Sequence, residues 1–450
     1  MSQKLFGTDG VRGTANSEPI TAASALKLAQ AAARVLVRNA ISPKVVVGRD
    51  TRASGEMLES AIAAGLASSG IEVLLAGVIP TPSIAYLTVT NGAAFGVVIS
   101  ASHNPFEDNG FKFFGPTGYK LSDDDQSAIE SEFERSDPGN LPIGKLIGRV
   151  QRLPNATEQY AEFAASTFPG DLSLAGVKIA LDMANGAAFQ TTPMALANLG
   201  ADLDLHYAAP DGFNINVDCG STHPATLSRI VQNSGATLGL AHDGDADRLL
   251  FCDEHGSVLD GDDLLAIASV DLIRRNQLQK NTVVATVMSN FGLDDLLREH
   301  NGSVLRTAVG DRFVIDALVQ HQLNLGGEQS GHIVFRDFAT TGDGLVAALQ
   351  VIAVVMRTGK QLSELRQVLS KYPQVLRNIV VRERVPFENI GVLNSKLAEA
   401  ESRLKGKGRV MLRYSGTEPK ARLLLEGPDA GELHQLASSI VEEFAKHLGP

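Results

Sequence analysis

Cysteine is scarce in this chain, long apolar runs are missing and positive charge is in deficit, and each shortage removes a class of protein. Only Cys219 and Cys252 occur, far apart and in no metal-binding spacing. Neither a disulfide framework nor a thiolate metal site is expected, and both thiols read as buried packing groups. No segment is apolar for long enough to cross a bilayer, and no secretory signal pattern is read at the N-terminus; a cytoplasmic location without a membrane partner is the expectation. The formal net charge of -11 argues against nucleic acid or an anionic membrane surface as the main partner. It leaves room for a local basic pocket that takes a small anion, such as a phosphorylated metabolite.

What is present is enough material for several cores. With 44% hydrophobic residues over 450 positions, the chain is too long for a single core, and roughly three or four domains are expected. Strand-like runs such as KVVVGRD (Lys44 to Asp50) alternate with helical patterns, which implies a parallel-rich sheet with functional loops at the strand ends. A polar, proline-bearing stretch from Ser136 to Leu153 reads as a linker. The alternation restarts with the strand VKIALDM, and again from about Gly261 with the strand NTVVATVM. From roughly Tyr372 it gives way to a strand, a helix from Asn394 to Leu404, a strand pair around RYSGTEPKAR and a helix from Ala430 to Leu448. The expected fold class is therefore α/β: three similar α/β domains with mixed, parallel-rich sheets, plus a smaller C-terminal α+β domain. The expected boundaries are 1–152, 153–256, 257–371 and 372–450.

Five loops carry the chemistry. An apolar strand, Phe95 to Ile99, leads into VVISASHNPFEDNGFKFF and delivers Ser102 into small, turn-forming residues where its side chain can stand clear of the core, beside His103, Asn104 and Lys112. A serine hydroxyl is a weak nucleophile that needs a base, a metal or a phosphate-stabilising environment. Alone, Ser-His-Asn-Pro is more often an Asx-turn with a capping histidine. The opening KLFGTDGVRGTAN holds Arg12 among glycines, as a phosphate loop or an ordinary hairpin would. In AHDGDADRLLF, Asp243, Asp245 and Asp247 alternate between two apolar runs and repel one another unless a cation lies between them. With Glu254 eleven residues after Asp243 the spacing imitates an EF-hand. However, Arg248 stands where that turn needs glycine, and LLFCDE continues as a strand, so a magnesium-type site fits better than calcium. A solvated acidic turn is the plain alternative. In LNLGGEQSGHIVF, Glu328, Ser330 and His332 fall at alternate positions, as on one side of an extended segment or in a polar hairpin. The turn RYSGTEPKAR offers Arg413, Ser415, Thr417 and Arg422 with the amides around Gly416, a composition suited to a phosphate dianion or to a plain β-turn.

Taken together, FGTDGVRG, SASHNP, DGDADR, GEQSGH and RYSGTEP, in this order along the whole chain, resemble the α-D-phosphohexomutase superfamily. Its bacterial members acting on hexosamine phosphates are the nearest, and GEQSGH and FGTDGVRG carry that choice of sugar. The resemblance implies four domains around one cleft, each contributing a loop. It makes Ser102 a phosphoserine with His103 beside it as a substrate contact. Asp243, Asp245 and Asp247 would bind one Mg²⁺ together with an oxygen of the Ser102 phosphate, and Glu328 and Ser330 would read the sugar. Arg413, Ser415, Gly416, Thr417 and Arg422 would grip the distal phosphate, with Arg12, Lys112 and His332 near the reacting one. It also implies a small hexosamine phosphate as substrate, glucosamine 1,6-bisphosphate as intermediate and activator, and a kinase or autophosphorylation to prime Ser102; a homodimer is allowed. A mutase of glucose or mannose phosphates would keep every catalytic residue and differ around Glu328 to His332. A non-catalytic binding protein would be expected to have lost Ser102 or an aspartate, and none is lost.

Overall fold

The computed structural model describes residues 5–7, 9–37, 43–135, 140–414 and 420–448, the side chain of Glu388 excepted. The chain divides into two compact units, Met1–Met288 with Gly302–Val368, and Ser289–Asn301 with Leu369–Pro450.

The first unit contains three sheets. The first sheet runs Val11–Thr14, Asp108–Phe114, Phe95–Ile99, Lys44–Arg49, Glu72–Val78 and Val150–Arg152. Lys44–Arg49 pairs in parallel with both of its neighbours, whereas Phe95–Ile99 pairs antiparallel with Asp108–Phe114. All five residues of Phe95–Ile99 are buried, which is why this strand reads as an unbroken apolar run rather than an alternation. The helices Ala22–Leu36 and Ser54–Ser68 approach each other at Gly65, where a Cβ would lie 2.4 Å from the Leu26 carbonyl. Part of the expected linker instead supplies the edge strand Val150–Arg152, parallel to Glu72–Val78. All three of its residues are exposed, so no apolar face marks it in the sequence; residues 136–139 lie outside the described residues.

The second sheet is ordered Val258–Leu259, Leu249–Cys252, Leu238–His242, Lys178–Asp182, Asp202–His206. Its hairpin Leu238–His242 to Leu249–Cys252, closed by the pair His242 and Leu249, carries the acidic loop in its turn. The third sheet is ordered Ser303–Thr307, Thr282–Thr286, Leu325–Gly327, Ile333–Phe335, with only the last pair antiparallel. All three sheets are thus mixed, as expected; parallel pairings outnumber antiparallel ones in the first and third sheets and equal them in the second.

Behind the third sheet the helix Gly344–Thr358 is capped by Asp343, whose Oδ1 accepts from the Val346 N–H at 2.9 Å and from the Tyr160 hydroxyl at 2.8 Å. Burial pushes the Asp343 carboxyl up to about 6. A carboxyl whose folded pKa exceeds its unfolded value favours folding below the unfolded pKa, and that contribution is lost as pH rises through the folded one. Between about pH 4 and 6, Asp343 should therefore cost the fold roughly 2–3 kcal/mol. Asp343→Asn keeps the cap and should flatten this part of the stability profile. Thermal melts from pH 4 to 7 check this: if the difference between wild type and variant does not change with pH, Asp343 does not titrate in that window.

The second unit is a three-stranded antiparallel sheet, Gln374–Val380, Lys420–Glu426, Arg409–Tyr414 in spatial order, with helices Gly391–Leu404 and Ala430–Leu448. Its core joins Val375, Ile379, Leu423 and Leu425 to Leu393, Leu433, Ala437 and Phe444. The helix Gly292–Glu299 belongs to this unit. Asn290 bonds both the carbonyl and the N–H of Tyr372, the Phe291 N–H donates to Glu426 Oε1 at 3.0 Å, and the Tyr372 hydroxyl donates to Asp295 at 2.7 Å. Among the described residues no single helix is long and apolar enough to cross a membrane.

Candidate active site

Ser102 follows the buried strand Phe95–Ile99 with a left-handed backbone, φ 53°, a conformation that is costly for a residue with a side chain. The expectation that its hydroxyl stands clear of the core is corrected here, because Ser102 is only 1% exposed. The acidic loop of the second sheet covers it. Ser102 Oγ donates to Asp243 Oδ2 at 2.6 Å, and a Cβ on Gly244 would lie 2.6 Å from the Ser102 carbonyl, so glycine is what allows the two loops to meet. His103 Nδ1 is 3.3 Å from the same hydroxyl. Burial, followed by the nearby Arg248 and Arg12, pushes His103 down to about 4, which leaves it neutral at pH 7.

Asp243, Asp245 and Asp247 are buried and bring one oxygen each within 4.8 Å of one another. Burial and the two neighbouring carboxylates push Asp243 well above the usual range. For Asp245, burial opposes ionisation, but Lys112 together with bonds from Lys112 and Thr81 outweighs it and holds the carboxyl low. The Oδ1 atoms of Asp245 and Asp247 are buried without a hydrogen-bond partner among the described residues. Hard, anionic and partly unsatisfied oxygens at this spacing are the donor set of a small divalent cation, so the residues fit the expected metal.

Lys112, 2% exposed, reaches Asp245 at 2.8 Å, Asp247 at 3.2 Å and Asp9 at 3.0 Å. Burial alone would lower its pKa, yet these carboxylates raise it well above the ordinary value, and the group is a fixed cation. Asp9 also pairs with Arg12 and Lys120, and Lys120 continues to Asp311. Asp311 Oδ2 lies 3.5 Å from His332 Nε2. The buried His332 ring makes no hydrogen bond among the described residues and lies against Gly342, where a Cβ would be 2.2 Å from Nε2.

Glu328, Ser330 and His332 do not line an extended segment. They form the turn of a hairpin between Leu325–Gly327 and Ile333–Phe335, tightened by Glu328 N–H to His332 O at 2.9 Å and Gly331 N–H to Glu328 O at 3.0 Å. Gly331 has φ 91°, and a Cβ there would lie 2.1 Å from the Leu249 carbonyl. Only glycine allows this loop to rest on the strand that leaves the acidic loop. Glu328 is half-buried and accepts from the Gly310 N–H at 2.9 Å, whereas Ser330 is exposed. Arg413 and Arg422 lie in the second unit, directly opposite each other on paired strands; Ser415, Gly416 and Thr417 lie outside the described residues.

The site also uses residues that the sequence reading passed over: Asp9, Arg52, Thr81, Lys120, Asn216 and Asp311. Asp9 sits inside GTDGVRG and Arg52 in GRDTR, each beside a motif already singled out. The others carry no local signal, because their partners are more than 100 residues away.

Four families match in order along the chain: Phosphoglucomutase/phosphomannomutase, alpha/beta/alpha domain I over residues 3–139, domain II over 158–256, domain III over 260–372, and the C-terminal domain over 352–443. With the geometry above they define the class, an isomerase of the phosphohexomutase type. Curated phosphoglucosamine mutases of Geobacter sp. (strain M21) and Desulforamulus reducens are each 48% identical over 448 residues, covering 99% of this chain and 99% of the relative. That of Syntrophotalea carbinolica is 47% identical over 451 residues, covering 100% of this chain and 99% of its own. The chain belongs to the phosphoglucosamine mutase family. Among solved structures, a phosphoglucomutase/phosphomannomutase family protein of Burkholderia thailandensis aligns with TM-score 0.81 at 23% identity over 100% of both chains. An Aspergillus fumigatus N-acetylphosphoglucosamine mutase, in complex with GlcNAc-6P and magnesium, aligns with TM-score 0.67 at 17% identity over 98% of this chain and 95% of its own. Both share the fold.

Proposed function

We propose that the chain interconverts glucosamine 6-phosphate and glucosamine 1-phosphate, with Ser102 carrying the phosphoryl group between the two sugar oxygens. The observation that carries this reading is a buried serine hydroxyl 2.6 Å from one of three clustered aspartates, with the Lys112 cation bound to the other two. Phosphoryl transfer asks a protein mainly for in-line positioning and charge neutralisation. Mg²⁺ held by Asp243, Asp245 and Asp247, with an oxygen of the Ser102 phosphate, would neutralise charge on the transferring oxygens. Lys112 and Arg12 add fixed positive charge beside it. The O1 hydroxyl of the sugar attacks phosphorus, the bond from phosphorus to Ser102 Oγ breaks, and the O1 proton passes to a base. Lys112 and His332 are the candidates. Lys112 holds its proton against three carboxylates, whereas neither ring nitrogen of His332 is engaged in a hydrogen bond among the described residues. The resulting 1,6-bisphosphate turns around and returns its 6-phosphoryl group to Ser102.

Glu328 and Ser330 read the sugar in this scheme, and a kinase or autophosphorylation supplies the first phosphate. The four loops divide among domains at 1–152, 153–256, 257–371 and 372–450. A panel of hexose phosphates assayed with the 1,6-bisphosphate present tests the choice of sugar: kcat/KM should be highest for glucosamine phosphate. A glucose or mannose phosphate preferred by tenfold or more, on the order of 1.4 kcal/mol, would overturn that choice.

The distal phosphate is assigned to Arg413, Ser415, Gly416, Thr417 and Arg422. Like charges placed directly opposite on paired strands repel, and an anion between them relieves the repulsion. Removing one arginine contact to a phosphate costs roughly 1.5–3 kcal/mol. Arg422→Ala should therefore lower kcat/KM by about ten- to a hundredfold. Both directions should suffer, because the same site holds the 6-phosphate in one half-reaction and the 1-phosphate in the other. Steady-state rates together with the 1,6-bisphosphate released per turnover check this; an unchanged kcat/KM and unchanged bisphosphate release would place the grip elsewhere.

A further inference from the structure

Both backbone groups of Ser102 are held by hydrogen bonds. Its N–H donates to Ser100 Oγ at 2.9 Å, and Ser100 Oγ in turn donates to Asp50 Oδ2 at 2.6 Å. The same Asp50 oxygen pairs with Arg52 Nε at 2.8 Å. Arg52, fully buried, spends the rest of its guanidinium on carbonyls of the serine loop. Nη2 donates to Ser102 O and Asn104 O, both at 2.8 Å, and Nη1 donates to Pro105 O and, at 2.9 Å, to Asp108 O.

A second donor reaches two of those carbonyls from a segment more than 100 residues further along the chain. Asn216 Nδ2 donates to Ser102 O at 2.9 Å and to Asn104 O at 3.2 Å. Asn216 is buried, holds a left-handed backbone with φ 61°, and is tied through its own N–H to the Ala184 carbonyl at 2.9 Å. A Cβ on Gly244, between Asp243 and Asp245, would lie 2.8 Å from Asn216 Nδ2. One amide therefore touches the serine loop and the aspartate loop at once.

We propose that Asn216 is a positioning residue for phosphoryl transfer: with Arg52 as the fixed floor beneath the serine loop, its amide sets the spacing between Ser102 and the three aspartates. This rests on the reading of Ser102 as the phosphoserine. The left-handed backbone that aims Oγ at Asp243 is unfavourable for serine and persists only where its surroundings over-determine it. Two donors on the Ser102 carbonyl and one acceptor for its N–H supply that over-determination. Asn216 touches no reacting atom. Its loss lets the serine loop drift from the aspartates, and a misplacement of about 1 Å costs roughly a hundredfold in rate. A drifting phosphoserine also meets water: a water oxygen bonds to phosphorus as the bond to Oγ breaks, releasing inorganic phosphate and leaving Ser102 as the free hydroxyl.

Asn216→Gly is the test, since glycine accepts the left-handed backbone and removes only the amide. Its kcat should fall about ten- to a hundredfold, with KM for glucosamine 6-phosphate within about twofold, because no sugar contact is altered. Inorganic phosphate released per turnover should rise, and added 1,6-bisphosphate should restore part of the activity by rephosphorylating Ser102. Arg52→Lys keeps the charge but loses the planar fork, and should move the same readouts in the same direction. Wild-type kcat and phosphate release in both variants would overturn the proposal. So would activity that falls only in step with the melting temperature, with phosphate release per turnover unchanged. Site-localised mass spectrometry of the wild type after incubation with the 1,6-bisphosphate separates the two levels: no phosphate on Ser102 defeats the underlying reading and this one with it, whereas a phosphorylated wild type beside an unaltered Asn216→Gly defeats only this one.

Discussion

Ser102→Ala should reduce turnover by roughly four orders of magnitude or more, because the covalent carrier on which the transfer depends is removed. The neighbouring side chains make that expectation sharp. His103 faces the hydroxyl with a neutral ring, and the other groups around it are carboxylates that the scheme commits to a cation and amines held as cations. Of these only the neutral His103 ring, 3.3 Å from the hydroxyl, is itself a nucleophile, and a phosphohistidine there would be seen by the same mass spectrometry. The fold should survive the substitution, since Ser102 is held through its backbone N–H and carbonyl and these remain. A coupled assay for glucosamine 1-phosphate, with site-localised mass spectrometry, measures the effect. Near-full turnover in the variant, or a phosphate found only on another residue of the wild type, would sink the assignment.

Exhaustive chelation should lower turnover by about a thousandfold or more, and added Mg²⁺ should restore it. The basis is the pair of buried Asp245 and Asp247 oxygens without hydrogen-bond partners among the described residues, an arrangement that costs the fold free energy unless a ligand offsets it. Asp245→Asn separates the metal's role from that of the fold. Lys112 would keep Asp9 and Asp247 as partners, so the melting temperature should move by only a few degrees while metal affinity drops. Full activity after complete metal removal would reduce the acidic loop to a structural turn.

Features that depend on neighbours in sequence were legible, and those that depend on distant contacts were not. The strand Phe95–Ile99 is an unbroken apolar run, and the helix Ala430–Leu448 keeps its apolar face through its whole length; both are read at the limits the structure shows. Three aspartates at alternate positions between apolar runs announce their own loop. In contrast, the burial of Ser102 is created by Gly244 and Asn216, whose segment no local pattern connects to SASHNP. The ladder of Asp9, Lys120 and Asp311 joins charges from three separate stretches of chain. The sequence allows the Glu328 to His332 hairpin and an extended segment alike, because alternation of polar residues describes a strand and a tight turn equally well, and the φ of Gly331 decides between them. The edge strand Val150–Arg152 lacks an apolar face altogether.

The C-terminal unit does not consist of one continuous stretch of chain, because the helix Gly292–Glu299 and the residues just before it are part of it. A gene cut after Val368 would leave Asn290 without the Tyr372 backbone, the Phe291 N–H without Glu426, and Asp295 without the Tyr372 hydroxyl. A fragment beginning at Leu369 would lack the same partners from the other side. In a chimera with a relative, the natural exchange unit is therefore two segments, 289–301 and 369–450, moved together. Recombination with a single breakpoint near 368 would force helix and sheet from different parents to rebuild that hydrogen-bonded seam from mismatched sequences.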